Sequence, residues 1–576
     1  MKKLTLLISL LIAVQSFGFS QGCLPDGIAF TTQAEIDSFQ TNYPNCTEIE
    51  GDVYIGYYYG TDISNLNGLH ILTSIGGNLN IINSDALSSL SGLENLTSIG
   101  GDLYIRNNDA LTSLSGLEGL TSIGGDLTIG GYGGYGSGND ALTSLSGLDN
   151  INPDSLTNVY ISNNNLLTTC NSQWLCDYLT NPNGTILIYD NAEGCNSVIE
   201  LAMYCGNTLP CLPQGDYYFY SQSDIDNFQN VFPGCTALEG NLIIRGNDIY
   251  HLTGLGQVTS IRGLLSIKSN PALTSLSGLE GLTSIGGNLS IESNSALTSL
   301  SGLEGLTSIN GYFSLSDNYV LTSPTGLEGL TSIEGNFEIH FSTLTSLAGL
   351  EGLDSIGGDL SFYHNDTLTS LTGLEGLTSI GGDLIIESNA ALISLTGLEG
   401  LTSTGGISFY NNAALTSLSG LENIDAGTIS GLSIQQNLNL SECAARSICD
   451  YLASPDAEIS ISDNAEGCNS VSQVEEECES SDVQENEINN LKAKVWLSPN
   501  PFTTSTTIEY ELSQNTTVHL TIYNDLGEQV AAFARGWQGQ GRHTFLWRPG
   551  NLLAGIYYCV LRTDKGLQTA KMIKMK

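Results

Sequence analysis

Basic residues are scarce in this chain. Its 576 residues include 17 lysines and arginines against 60 aspartates and glutamates, which gives a formal net charge of −43. Residues 21–492 are the most acidic, with 6 basic and 55 acidic side chains, whereas residues 493–576 hold 9 basic and 5 acidic ones. So acidic a body repels nucleic-acid phosphates and anionic membrane surfaces. We therefore expect neither as a partner.

Long apolar runs are missing after the first 20 residues. Lys2 and Lys3 precede an apolar run over residues 4–14, and small residues follow at Gly18 and Ser20. This pattern is typical of a signal peptide at residues 1–20. The run is too short to span a bilayer, and no later stretch qualifies. The sequence thus predicts an exported protein without a transmembrane span.

Cys23 offers a second interpretation of this region, as the acylated cysteine of a bacterial lipoprotein. The preceding Ser-Gln-Gly fits such a signal poorly, and GCLPDG around Cys23 recurs as PCLPQG around Cys211. The recurrence favours a structural role for Cys23.

Recognisable catalytic motifs are also missing. The histidines stand in no nucleophile or metal motif, and the carboxylates mostly follow a sequence repeat. These histidines are His70, His251, His340, His364, His519 and His543. His340 and His364, 24 residues apart, are expected to form an ordinary stacked surface pair. We expect no enzymatic activity and no cofactor. The competing class is a β-helix enzyme acting on polysaccharides, which needs a groove of clustered Asp, Lys or Arg.

What the chain does contain is a repeat of about 24 residues, close to GLEGLTSIGGDLYIRNNDALTSLS. The repeat is marked by isoleucines 24 residues apart, and after one deletion it resumes a residue early. The marking residues are Ile75, Ile99 and Ile123 in a first block, and Ile261, Ile285, Ile309, Ile333, Ile356, Ile380 and Thr404 in a second. One such unit cannot bury its own apolar side, so neighbouring units must stack into a solenoid.

Within a repeat, the spacing of apolar residues favours short strands joined by turns. Leu111, Leu114 and Leu117 fall at every third residue, and Leu127 and Ile129 then alternate. A spacing of three does not sustain an amphipathic helix, whereas extended pieces can direct all these side chains inward. We predict a mainly β protein: two parallel-β, leucine-rich, β-helix-like solenoid modules with disulfide caps, then a small C-terminal β-sandwich.

The cysteines divide evenly between the two blocks, and Cys559 is left over. The first set is Cys23, Cys46, Cys170, Cys176, Cys195 and Cys205; the second is Cys211, Cys235, Cys443, Cys449, Cys468 and Cys478. Even counts at matching places in an exported chain indicate disulfides and not metal ligation. We predict that Cys23 pairs with Cys46 and Cys211 with Cys235, while the remaining connectivity stays open.

Matching ends define the predicted domains. Each block opens with a helix-like polar segment, TTQAEIDSFQTNYPNC or SQSDIDNFQNVFPGC, and closes with a similar cysteine-rich segment. These ends are expected to cap the apolar solenoid. The predicted domains are a signal peptide (1–20), a first module (21–208), a second module (209–478), an acidic linker (479–492) and a C-terminal domain (493–576).

Two polar rows follow the repeat. The first is interpreted as an internal ladder that satisfies backbone groups of the turns, and not as a ligand-binding row. Its members are Asn108, Asn164, Asn191, Asn247, Asn270, Asn294, Asn318, Asn365, Asn389, Asn412 and Asn464. The second row follows the double glycine and raises a calcium hypothesis, but it lacks the calcium-binding nine-residue pattern, so solvated turns are favoured. It comprises Asn78, Asp102, Asp126, Asn288, Asp359 and Asp383.

The hypothesis of a ligand-binding site rests on two places where the repeat is interrupted by tyrosines. The insertion GGYGGYGSG, residues 130–138, follows the strand that ends at Ile129, and three tyrosines follow Ile55 at the same position two coils earlier. Aromatic side chains at one edge suit sugar rings or a protein partner. The hypothesised ligand-binding residues are Tyr57, Tyr58, Tyr59, Tyr132 and Tyr135. The alternative is a tolerated loop with ordinary surface tyrosines.

The pattern LTSLSGLEGLTSIGGDLYI, with entries such as CTALEGNLIIRG, resembles the receptor L domain of insulin-receptor-like and EGF-receptor-like ectodomains. The resemblance covers residues 23–208 and 211–478 and implies a leucine-rich solenoid that can bind a protein ligand. This chain differs from those receptors in its very regular repeats and in its lack of a kinase and of a membrane span.

The C-terminal segment resembles the type A C-terminal sorting domain of the type IX secretion system of Bacteroidetes. The matching residues are Pro499-Asn500-Pro501, Ile522-Tyr523, Leu526-Gly527, Gly555-Ile556-Tyr557 and the basic end at 571–576. The resemblance implies the secretion machinery as a partner, passage across the outer membrane, and release or surface attachment. The sequence as a whole therefore predicts a secreted or cell-surface binding or adhesion protein with an unknown protein or glycan ligand. Its alternatives are the polysaccharide-active enzyme and a structural surface component.

Overall fold

The computed structural model describes residues 22–56, 60–131, 138–212, 215–455, 457–479, 494–512, 514–524, 528–550, 552–563 and 566–576.

The first module is a stack of short coils, each contributing one strand to a long parallel sheet. The strands of this sheet, in spatial order, are Ile28–Phe30, Val53–Ile55, Leu79–Ile82, Leu103–Arg106, Leu127–Gly130, Val159–Ser162 and Ile186–Tyr189. Shorter strands form a second parallel sheet: Glu48–Ile49, Ser74–Ile75, Ser98–Ile99 and Ser122–Ile123. The alternation within each strand sends its first and third residues inward.

The second module repeats this arrangement over more coils. Its long sheet contains Tyr217–Phe219, Leu242–Ile244, Leu265–Lys268, Leu289–Glu292, Phe313–Ser316, Phe337–His340, Leu360–Tyr363, Leu384–Glu387, Ile407–Tyr410, Leu432–Gln435 and Ile459–Ser462. Its shorter strands are Ala237–Leu238, Ser260–Ile261, Ser284–Ile285, Ser308–Ile309, Ser332–Ile333, Ser355–Ile356 and Ser379–Ile380. The predicted mainly β solenoid fold is confirmed.

The leucines spaced by three build the core, as predicted. Leu111, Leu114 and Leu117 are fully buried, and one apolar cluster continues from coil to coil through both modules. Glycine is required where coils touch: Gly116 has a φ of 113°, and a Cβ there would lie 2.3 Å from the carbonyl carbon of Leu90. A larger residue would force the coils apart at this turn.

Helices close the modules. Gln33–Asn42 and Gln222–Val231 begin the two modules, and each starts with a capping box, formed by Thr32 with Glu35 and by Ser221 with Asp224. Both predicted helical caps are therefore confirmed. The other helices are Gln173–Thr180, Val198–Cys205, Arg446–Leu452 and residues 471–479; 3-10 turns cover Asn67–Leu69, Pro153–Ser155, Thr253–Leu255 and Ala426–Thr428.

Disulfides tie the same places in both modules. Cys23 pairs with Cys46, and Cys211 with Cys235, at the opening ends. The closing ends carry two bridges each: Cys170–Cys195 and Cys176–Cys205, then Cys443–Cys468 and Cys449–Cys478. Cys559 is unpaired and buried. The structure thus supplies the connectivity that the sequence left open.

A buried asparagine joins each coil to its neighbours. Asn294 Nδ2 donates to the carbonyl of Ile267 (2.9 Å), and Asn294 Oδ1 accepts from the backbone N–H of Asn270 (3.1 Å). The Asn294 N–H in turn donates to Asn318 Oδ1 (3.0 Å). The predicted internal ladder is confirmed, because the amide satisfies backbone groups that the turn would otherwise leave unpaired.

The ladder departs from the predicted residues in three ways. Asn247 is exposed, and the predicted role is wrong for this residue. The coil-to-coil step from Leu242 to Leu265 is one residue short, so Gly246 takes the ladder position and donates to Asn270 Oδ1. Asn139 and Asn437 are additional buried members. In two coils a serine replaces the asparagine, at Ser84 and Ser342.

The two modules pack end to end. Ser197, which caps the last helix of the first module, donates to Asp224 Oδ1 (2.5 Å), and both side chains are buried. Burial raises the pKa of Asp224. The rings of Tyr189 and Tyr218, one from each module, stack at 4.5 Å with an interplanar angle of 15°. These contacts join the two modules around one apolar core, while their long parallel sheets remain separate.

The C-terminal residues form a β-sandwich with its own core. One antiparallel sheet contains Lys494–Ser498, Thr506–Leu512 and Gly541–Trp547; the other contains Thr516–Asn524, Gln529–Gln538, Gly555–Thr563 and Gly566–Lys574. Ile508 of the first sheet and Leu520 of the second belong to the same buried cluster.

We expect Asn294→Ala to destabilise the solenoid by about 2–4 kcal/mol, because it leaves several buried backbone and amide groups unpaired. Asn247→Ala is the matched control and should change stability by less than about 0.5 kcal/mol, since this side chain is exposed. Urea denaturation followed by circular dichroism measures both. Equal effects of the two substitutions would contradict the assignment of the ladder.

Candidate ligand-binding site

The outer face of the first long sheet carries a row of tyrosines. The middle residues of successive strands lie side by side in register, as Tyr54, Asn80, Tyr104, Thr128, Tyr160 and Leu187. Tyrosine therefore alternates with a smaller side chain over most of the row. Because neighbouring strands lie ~4.8 Å apart, successive tyrosines are about 10 Å apart.

A pocket of about 440 Å³ opens on this face. Tyr104 and Tyr160 lie on either side of Thr128, so their rings form the walls and the strand between them forms the floor. Gly130 ends this strand, and a Cβ there would lie 1.8 Å from the carbonyl oxygen of Ser162, so the close approach of the two coils requires glycine. We call this pocket the tyrosine slot. Its lining residues are Asn80, Ile82, Tyr104, Arg106, Asp126, Thr128, Gly130 and Tyr160.

Polar groups surround the slot. The Tyr104 hydroxyl donates to Asp102 Oδ2 (3.2 Å), and burial together with the Asp102 charge raises the pKa of Tyr104 to about 12. Arg106 is the only lysine or arginine in residues 21–208 of the sequence. Asn80 Nδ2 is buried and has no hydrogen-bond partner among the described residues. An amide donor left unpaired in this way costs free energy unless a ligand or water accepts from it.

The residues of the earlier ligand hypothesis, Tyr57, Tyr58, Tyr59, Tyr132 and Tyr135, lie outside the described residues. The strand Val53–Ile55 ends two residues before Tyr57, and the strand Leu127–Gly130 ends two residues before Tyr132. Both strands belong to the sheet that carries the tyrosine row. They lie three coils apart, so the predicted separation of two coils is wrong: the strands Leu79–Ile82 and Leu103–Arg106 both stand between them. The sequence pointed to the interruptions of the repeat and missed Tyr104 and Tyr160. The signal available for these two was an aromatic residue at the middle of alternate strands.

The acidic turns have a structural use. Asp102 Oδ1 accepts from the backbone N–H of Asp126 (2.7 Å), and Asn78 Oδ1 accepts from that of Asp102 (2.7 Å). The same contact joins Asp359 Oδ1 to the N–H of Asp383 (2.8 Å). Each side chain of this row thus accepts a hydrogen bond from the backbone of the following coil. In the part of the chain that the structure covers, no group of three or more His, Cys, Asp or Glu side chains is placed to hold a metal ion.

The C-terminal motif residues cluster at the ends of strands. Asn500, between Pro499 and Pro501, donates from Nδ2 to the carbonyl of Lys571 (2.7 Å) and accepts from the N–H of Ile573 (2.8 Å). It therefore fastens the start of the domain to its last strand. Gly555 begins the neighbouring strand. The buried Tyr557 of that strand donates to the carbonyl of Leu553 (2.7 Å).

Comparison with protein-family models identifies two families. The receptor L domain model matches residues 45–111, 73–181 and 234–300, so both solenoid modules are represented. The secretion system C-terminal sorting domain model matches residues 496–575. A comparison with curated proteins finds no match. Both family resemblances inferred from the sequence are confirmed.

The sorting domain settles the destination of the chain, which is the cell surface or the extracellular space. None of the helices within the described residues is both long and apolar enough to cross a membrane. The receptor L domains provide a surface of the kind used for binding. The chain therefore contains receptor L domain solenoids followed by a C-terminal sorting domain of the type IX secretion system.

Proposed function

We propose that this secreted protein binds an extended glycan chain on the outer face of its first solenoid module. The observation that carries the proposal is the tyrosine slot, in which two aromatic walls face each other across a small threonine. Sugar rings have apolar faces that stack on aromatic side chains. Aromatic side chains on a rigid sheet also lose little conformational entropy when they bind.

The spacing of the tyrosine row favours an extended glycan chain over a single sugar as the ligand. Tyr54, Tyr104 and Tyr160 recur on alternate strands, about 10 Å apart along the solenoid axis. A regular polysaccharide offers ring faces at a regular spacing, so several tyrosines can engage one chain. Engaging several sites at once raises the apparent affinity without any single strong contact.

The polar rim of the slot suits sugar hydroxyls. Arg106 and the unpaired Asn80 amide supply donors, and the hydroxyl oxygens of Tyr104 and Thr128 supply acceptors. A site with few polar groups at fixed positions on a mostly apolar floor is the usual form of a selective small-ligand pocket. The same groups allow binding to both neutral sugars and sugars with one acidic group.

Binding is proposed in preference to catalysis. Asp126 Oδ1 accepts from both the N–H (3.2 Å) and the Nδ2 (2.8 Å) of Asn158, and Asp102 accepts from Tyr104 and from the N–H of Asp126. These carboxylates are therefore committed to holding the coils together. A glycoside hydrolase needs two carboxyl groups that are free to act on the scissile bond.

The double variant Tyr104→Ala, Tyr160→Ala should weaken glycan binding by about 10-fold or more, because it removes both stacking walls. A glycan array probed with the exported protein identifies the ligand, and titration calorimetry then measures the affinity. Tyr204→Ala, which removes a tyrosine that is 66% exposed on the last helix of the first module, is the control and should bind normally.

Three outcomes of that experiment would contradict the proposal. Unchanged affinity of the double variant would remove the slot as the binding site. Release of reducing sugar from the bound glycan, absent in a heat-denatured sample, would instead support the polysaccharide-active enzyme. Failure to bind any glycan on the array would favour a structural surface component.

Removal of residues 494–576 should abolish appearance of the protein outside the cell, since the sorting domain would be lost. Immunoblots of cell, surface and medium fractions measure the distribution. The Tyr104→Ala, Tyr160→Ala protein is the control and should be exported normally, because its sorting domain is intact. Normal export of the truncated chain would contradict the role of the sorting domain.

A further inference from the structure

One position in most coils has a left-handed backbone conformation, directly after the strand of the long sheet. Asparagine, aspartate and serine fill nearly all of these positions, because small polar residues tolerate this conformation. They are Asn83, Asn107, Asn163, Asp190, Ser269, Ser293, Asp317, Ser388, Asn411 and Asp463, with Gln436 also present. Phe341 and His364, in two adjacent coils of the second module, depart from this rule, with φ values of 50° and 53°.

The fold gives no reason for a phenylalanine here. Phe341 is 51% exposed, and a bulky side chain in the left-handed region is disfavoured. The coils on either side of Phe341 and His364 have Asp317 and Ser388 at the same position, with small polar side chains. A residue that is disfavoured both by its backbone and by its exposure indicates a functional demand.

Phe341 and His364 form a stacked pair at this edge. Their ring centroids are 5.0 Å apart and their planes differ by 8°, while the ring of His340 meets Phe341 edge-on at 5.8 Å. Tyr319, which is 58% exposed, lies at the preceding coil and donates from its hydroxyl to Asp317 Oδ1 (2.7 Å). We call Phe341 and His364 the ring pair.

The surroundings of the ring pair are acidic. The sequence has no lysine or arginine between Lys268 and Arg446, whereas residues 269–445 contain 18 aspartates and glutamates. Asp317 occupies the equivalent position one coil before Phe341, and the N–H of His364 donates to the carbonyl of Glu387 (3.1 Å), which places Glu387 in the next coil. Acidic residues thus stand in the coils on either side of the ring pair.

We propose that the ring pair docks an arginine-bearing segment of a partner protein. A guanidinium stacks on an aromatic face and at the same time pairs with carboxylates, which a lysine ammonium does less well. The excess of negative charge across these coils attracts a cationic segment and repels an anionic one. This site lies in the second module and is separate from the tyrosine slot.

The proposal is tested with a fluorescein-labelled octapeptide of alternating glycine and arginine, and with its glycine and lysine counterpart. Fluorescence anisotropy measures binding of each peptide to the exported protein at low and at physiological ionic strength, since salt screens exposed charges. The arginine peptide should bind more tightly than the lysine peptide. The double variant Phe341→Ser, His364→Ser should weaken the arginine peptide about 5- to 10-fold and leave the lysine peptide unchanged.

Serine is the natural residue at this position in other coils, so the double variant should fold normally, with an unchanged or raised melting temperature. Tyr250→Ser, which removes another exposed aromatic ring of the second module, is the control and should bind like the unaltered protein. The Tyr104→Ala, Tyr160→Ala protein should also keep its affinity for the arginine peptide, which separates this proposal from the glycan site.

Several results would overturn the proposal. Equal affinity for the two peptides, or unchanged affinity of the double variant, would mean that the peptide is attracted only by the overall negative charge of the module and not by the ring pair. A melting temperature lowered by several degrees in the double variant would make the ring pair a structural feature. Loss of glycan binding in the double variant would assign the ring pair to the glycan.

Discussion

The hydrogen bonding between stacked coils is the constraint on which the rest of this molecule depends. No coil buries its own leucines, so each is ordered only by its neighbours. The buried asparagine amide serves three coils at once, as Asn294 contacts backbone or side-chain groups of residues 267, 270 and 318. The asparagines and the turn carboxylates hold opposite ends of each long strand in register. Disulfides and helices then close the two ends of each module.

This arrangement separates the residues that build the scaffold from those assigned to binding. The repeat itself supplies core, turns and ladders, and its carboxylates are largely used by the coils. The residues assigned to binding belong to neither ladder. Tyr104 and Tyr160 stand at outward positions of the first long sheet, and Phe341 stands at a left-handed position after a strand of the second. The rigid stack fixes the spacing of each group, which loops could not do as well.

The sequence predicted the fold well because a fixed period places chemically similar residues at structurally equivalent points. The leucines spaced by three and most ladder asparagines follow directly from counting. Prediction failed where a coil changes length by one residue. Asn247 fell outside the ladder for this reason. His340 and His364 are 24 residues apart, yet the strand register sets His340 beside Tyr363, and His364 stacks on Phe341. The tyrosine row could not be predicted in the same way, because it depends on which residues of neighbouring strands lie side by side. The repeat pattern alone does not give this register.

A crystal structure of the exported protein with its strongest-binding array glycan is the sharpest test of glycan binding at the tyrosine slot. We predict density for a sugar ring between Tyr104 and Tyr160, above Thr128, with further rings continuing along the solenoid axis. Density for the glycan on another face of the first module, or on the second module alone, would show that the tyrosine slot is not the binding site.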